Sequence, residues 1–118
     1  MKLSLIVLRT PDPEKLQTQY CMLGIEFQYH RHGSGPFHYS AELDGLILEI
    51  YPLSRSQEKA DPHLRLGFTV ANLDELIPRL LKLGWKVLSG PQKTEWGYTA
   101  VVRDMDGRKV ELTETKIP

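Results

Sequence analysis

The chain has 118 residues, 41% of them apolar and 25% charged, a composition for one globular domain or two very small modules sharing a core. Fifteen basic side chains balance fifteen acidic ones, so no net field recruits nucleic acid or an anionic membrane surface. The single cysteine, Cys21, excludes an internal disulfide, and no long apolar run or signal-peptide pattern is present, so the expectation is a soluble, cytoplasmic protein.

Residues 3–10 (LSLIVLRT) are apolar and β-branched enough to predict a strand buried on both faces. A helix follows in "PDPEKLQTQYCMLG". Asp12 is placed to cap it, Pro13 suits its first turn, Glu14 favours its positive end and Gly24 terminates it. Cys21 lies in this stretch among apolar neighbours and reads as core rather than nucleophile. Then come "IEFQYHRH", a turn at "GSGP", "FHYSAEL", an Asp44-Gly45 hairpin turn and "LILEIY", which makes the first half β-α-β-β-β.

The second half repeats the order. "HLRLGFTV" reads as a strand. Asn72 is placed to cap "LDELIPRLLKLG", whose Leu73, Leu76, Leu80 and Leu83 share one helical face, with Pro78 demanding a kink or a late start. "WKVLSG", "GYTAVVRDM", an Asp106-Gly107 turn and "KVELTE" complete it. Leu23-Gly24 matches Leu83-Gly84 at an offset of 60, and Asp44-Gly45 with Glu49 matches Asp106-Gly107 with Glu111 at an offset of 62. The shared element order predicts an internal duplication. One module is residues 1–53 and the other 63–118, with the polar, Pro-bounded "SRSQEKADP" (54–62) as linker. Four strands cannot bury an apolar face alone, so the modules must pair within the chain or across a dimer.

At this point the chain resembles the vicinal oxygen chelate superfamily, which includes glyoxalase I, extradiol dioxygenases and bleomycin resistance proteins. "EWGYTAVVRDMDGRKVELTE" is similar to that superfamily's final hairpin, and "PDPEKLQTQYCMLGIEF" to its first helix and following turn. The resemblance implies an α+β fold of two paired βαβββ modules forming a cup-shaped sheet with helices outside. In metal-dependent members the cup holds a divalent ion between side chains on the first and last strands of each module. That ion polarises substrate oxygens while a carboxylate moves a proton.

Glu49 and Glu111 match the two last-strand positions, and strand parity supports them: Leu48 and Ile50, like Val110 and Leu112, take the opposite face. The first-strand positions hold Leu5 and Arg65. Leucine has no lone pair and arginine only donates. A register shift of two brings in His63, but only Leu3 or Val7 in the first module. The fullest metal set is therefore Glu49, Glu111 and His63, open to manganese or iron. Otherwise Arg65 stands where relatives hold the ion, between the two glutamates. A buried pair of that kind predicts a loss of about 3–5 kcal/mol on Arg65→Leu. Arg65 is also a candidate contact for an anionic or carbonyl-bearing ligand.

Three histidines, His30, His32 and His38, surround a hairpin tip and offer a zinc site or an incidental solvated cluster. Phe37, Tyr39, Trp96 and Tyr98 lie on strands that form the cup wall in relatives and are candidate ligand contacts. The leading expectation is a homodimeric small-molecule binder without a cofactor, similar to the metal-free bleomycin-resistance branch. The alternative is a metal-dependent lyase, isomerase or dioxygenase built on Glu49 and Glu111. A third is a metal-free catalyst with Arg65 as electrophile and a glutamate as base.

Overall fold

The computed structural model describes residues 1–31 and 33–115, in two compact units, residues 1–60 and 61–118. Each unit is a βαβββ module with its own four-stranded mixed sheet and one helix. Among the described residues no helix is long and apolar enough to cross a membrane.

In the first unit, β1 (Leu5–Thr10) leads into α1 (Pro13–Cys21), followed by β2 (Gln28–His30), β3 (His38–Leu43) and β4 (Leu46–Pro52). The sheet order is β1-β4-β3-β2, with β1 parallel to β4 and the other pairs antiparallel. The helix starts where the sequence places it. Asp12 accepts from the Lys15 N–H at 3.1 Å, and Pro13 spends no donor in the first turn. Leu16 and Tyr20 bury against Leu8, Leu48 and Ile50 on one face of the sheet, each such side chain stabilising by about 1.5–3 kcal/mol. Asp44 (φ 50°) and Gly45 (φ 91°) are the two central residues of the β3–β4 hairpin, with Leu43 paired to Leu46. Two successive positive φ angles define the tight turn that matches sheet twist, and Asp-Gly tolerates it.

β1 differs from expectation. It buries Leu8 on the helix side, but Leu3, Leu5 and Val7 on the other face are 66%, 50% and 37% exposed. A strand at the edge of a sheet with one helix has only one covered face, so apolar composition alone over-predicted its burial.

In the second unit, β5 (Leu66–Val70), α2 (Leu73–Lys82), β6 (Lys86–Thr94), β7 (Gly97–Arg103) and β8 (Lys109–Glu114) form a sheet of order β5-β8-β7-β6. Again the first strand is parallel to the last. Asn72 accepts from the Glu75 N–H at 3.3 Å, and Leu73, Leu80 and Trp85 are buried with Val102, Val110 and Leu112. The helix runs through Pro78, whose absent N–H falls on an exposed position, where solvent can reach the carbonyl it would have paired.

The two Asp-Gly turns are not equivalent. β7 and β8 close at the Arg103–Lys109 pair, so residues 104–108 form a five-residue loop instead of a two-residue turn. Its centre is a buried charge cluster. Arg108 Nη1 donates to Asp104 Oδ2 (3.2 Å) and Asp106 Oδ2 (3.0 Å), while Asp104 Oδ1 accepts from the N–H groups of Asp106 (2.8 Å) and Arg108 (3.1 Å).

Candidate functional site

Strand parity divides each sheet into a face that carries the helix and a face that does not. In the first unit the helix-free face presents Leu5, Val7 and Arg9 from β1, His38 and Ser40 from β3, and Glu49 and Tyr51 from β4. Glu49 lies between Val7 on one neighbour and Ser40 on the other. Its side chain is 16% exposed, and its Oε2 is 3.4 Å from His38 Nε2. The other imidazole nitrogen, Nδ1, sits 3.2 Å from the Pro36 carbonyl, which only accepts, so Nδ1 carries the hydrogen. The His38 ring is stacked on Tyr51 (4.2 Å, interplanar angle 8°) and meets His30 edge-on at 4.5 Å, while the Arg9 guanidinium lies over the Tyr51 ring at 5.2 Å.

His38 as the companion of Glu49 was missed by the sequence reading, which grouped it with the hairpin histidines. The signal was available: His38 is two residues before Ser40, and the two share a strand face. His32 of that grouping lies outside the described residues.

In the second unit, Glu111 lies between Gly67 and Val101. Arg65 Nη2 approaches Glu111 Oε2 at 3.9 Å, and the two side chains are 54% and 42% exposed. The sequence suggests a buried pair here. The pair is a long, solvent-exposed contact, with Arg65 just before β5 at the sheet edge. Surface pairs of this kind contribute about 0–1 kcal/mol. Arg65→Leu is therefore expected to lower stability by less than about 1 kcal/mol in urea titration, and a loss above about 3 kcal/mol would restore the buried-bridge reading.

The four aromatic candidates divide differently. On the face that carries α1, opposite to Glu49, Phe37 stacks on Tyr29 (5.1 Å) and Tyr39 meets Tyr29 at a tilt (4.7 Å). Burial raises the Tyr39 phenol above its usual pKa, and Glu14 and Asp12 near the helix start add to that. Tyr98 is also on the helix side, where its hydroxyl donates to Asp74 Oδ1 at 2.7 Å, a bond that raises its pKa. Tyr39 and Tyr98 alternate with the residues of the helix-free face and so take the helix side of their strands. Trp96, in the β6–β7 turn, is 73% exposed. Desolvation, the larger effect, raises the Cys21 thiol, while its contacts with Phe27 and Gln17 oppose that; a raised thiol is a poor nucleophile at neutral pH.

The residues present do not fit the superfamily's four-donor metal set. Leu5 and Arg65 offer no lone pair, and the residues directly across from Glu49 and Glu111 are Val7 and Gly67, so shifting the register by two rescues neither side. His63 is exposed and lines a cavity with Arg65, Arg103 and Lys109, whose charges repel a cation. Among the described residues no three His, Cys, Asp or Glu side chains cluster tightly enough to hold a metal.

Comparison with known proteins sets this geometry in context. Solved structures share the fold over nearly the whole chain. A glyoxalase/bleomycin resistance protein/dioxygenase family enzyme from Burkholderia phytofirmans PsJN superposes with TM-score 0.75 at 19% identity, covering 98% of this chain and 100% of that one. TnmS3, an antibiotic binding protein from Streptomyces sp. CB03234, gives 0.73 at 20% identity (98% and 97%). TioX from Micromonospora sp. ML1 gives 0.67 at 19% identity (97% and 98%). The search of curated proteins found no match. The family model for the glyoxalase/bleomycin resistance protein/dioxygenase superfamily matches residues 2–112. With two βαβββ modules and glutamates at matching last-strand positions, the chain belongs to the glyoxalase/bleomycin resistance protein/dioxygenase superfamily.

Proposed function

We propose that this protein binds a small organic molecule on the helix-free faces of its sheets and needs no metal to do so. The observation that carries the proposal is the replacement of donors by contact surface. Beside Glu49 stand Leu5 and Val7, both partly exposed, and beside Glu111 stand Gly67 and Arg65. Exposed apolar side chains next to a mostly buried carboxylate suit a ligand with an apolar body and a polar group. The fold likeness to TnmS3, described as an antibiotic binding protein, supports the same reading. The proposal includes a homodimer in the cytoplasm, without nucleic-acid or membrane partners.

A second reading, a metal-dependent lyase, isomerase or dioxygenase using Glu49 and Glu111, has one observation in its favour. His38 Nε2 lies 3.4 Å from Glu49 and is a metal-ligating atom that the sequence pattern did not place beside that glutamate. One experiment separates the two. Purified protein is stripped with EDTA and titrated calorimetrically with a panel of planar, antibiotic-like compounds, before and after manganese, iron, nickel and zinc are added back. Saturable binding that survives EDTA is expected. Binding or turnover that appears only with a stoichiometric metal would replace the first reading with the second.

A further inference from the structure

The helix-free face of the second unit carries a row of like charges that sheet stability does not explain. Lys86 pairs with Arg103, and Arg103 with Lys109. Arg65 directly precedes Leu66, whose partner Val110 directly follows Lys109, so Arg65 stands beside Lys109. Four cations thus line up across β6, β7, β8 and the start of β5. Like charges on directly opposed residues destabilise a sheet, whereas opposite charges there stabilise it. The counter-charge on this face is Glu111, which reaches Arg65 at 3.9 Å. Among the described residues no carboxylate forms an ion pair with Lys86, Arg103 or Lys109.

Two further observations point to a ligand. Arg65, Arg103, Lys109 and His63 line one cavity of about 410 Å³, a size for one small molecule. The Arg103 Nε is buried without a hydrogen-bond partner among the described residues, although buried donors are nearly always satisfied. A negatively charged group held in the cavity would offset the repulsion along the row.

We infer that this cavity binds the oxyanion of a small molecule, a carboxylate or a phosphate group, through Arg103 and Lys109, with Arg65 shared between the ligand and Glu111. The assignment rests on the small-molecule-binding reading and names the chemistry of the polar group. A guanidinium fork beside an ammonium matches the planar or tetrahedral oxygens of such groups. A long polyanion fits less well, because the chain as a whole has no net charge to attract one.

The test titrates the intact protein calorimetrically with inorganic phosphate and, separately, with succinate, at ionic strength matched with sodium chloride. Saturable one-to-one binding of at least one probe is expected. Phosphate alone would assign a phosphate group, succinate alone a carboxylate. Arg103→Gln and Lys109→Gln should each weaken that binding about tenfold or more, as loss of a charge-assisted bond does. Lys86→Gln, outside the cavity, and Arg9→Gln, in the first unit, should change it by less than about twofold. Lys109 is exposed, so its variant folds, and without ligand it should melt at the wild-type temperature or slightly above. A melting point clearly below wild type would instead mark the row as structural. Binding of neither probe, or binding unaffected by both glutamine variants, overturns the assignment. Panel compounds that bind wild type and Arg103→Gln alike would leave the small-molecule reading standing without the anion site. Phosphate saturation with no panel compound bound would leave the anion site standing without the broader reading.

Discussion

Replacing Arg108 by methionine is expected to destabilise the protein by about 3–5 kcal/mol, because it leaves buried carboxylates without their cation. Arg108 is 2% exposed, and it holds both Asp104 and Asp106 within 3.2 Å. Methionine keeps most of the stem but supplies no donor. Domains of this size have about 5–15 kcal/mol of total stability, so the variant should lose a large share of it and melt roughly 10 °C or more below wild type. The companion variant Asp104→Asn with Arg108→Met should recover part of the loss by removing one stranded charge. Denaturant titration followed by circular dichroism measures both. A cost under about 1 kcal/mol for Arg108→Met would show that water reaches the cluster and the burial argument fails.

Trp85→Ala should cost a similar amount by a different route. The indole is 2% exposed, directly after the turn that ends α2, and it lies under a sheet face filled by Val102, Val110 and Leu112. Deleting it removes the largest fully buried side chain in the structure and leaves a cavity that the surrounding strands can only partly close. Losses of about 3–5 kcal/mol are usual for such a truncation, and Trp85→Phe should return more than half of it. Equal stability of the alanine and phenylalanine variants would mean that the site collapses freely and that Trp85 is not a keystone of the second unit.

Much of the fold was legible because local chemistry and global order agreed. Asp12-Pro13 and Asn72 start helices, Gly24 and Gly84 end them, and Asp44-Gly45 closes a hairpin. Each signal acts within a few residues. The site was less legible, for three physical reasons. Parity correctly placed Glu49 and Glu111 opposite the buried leucines, but it does not give depth. Glu49 is mostly covered, whereas Glu111 at a matching position is half exposed. The partner of Glu49, His38, comes from a neighbouring strand, and its approach depends on pairing register that no local pattern specifies. The Arg65–Lys109–Arg103–Lys86 row is likewise scattered along the sequence and becomes a row only when four strands are aligned. The Asp104-Asp106-Arg108 cluster did leave a mark, an acid-acid-base triplet at every second position, but its Asp-Gly dipeptide drew attention to the turn instead.

The placement of the aromatic residues has a spectroscopic consequence. Both tryptophans, Trp85 and Trp96, belong to the second unit, while Tyr20, Tyr29, Tyr39 and Tyr51 belong to the first, which leaves only Tyr98 in the second. The duplicated halves are therefore optically labelled by nature. Indole emission reports on residues 61–118 alone, with one indole in the core and one at the surface. Phenol absorbance is weighted four to one towards residues 1–60. Recorded together during unfolding, the two signals compare the modules without any added dye, and their coincidence or separation measures whether a duplicated fold melts as one cooperative body or as two.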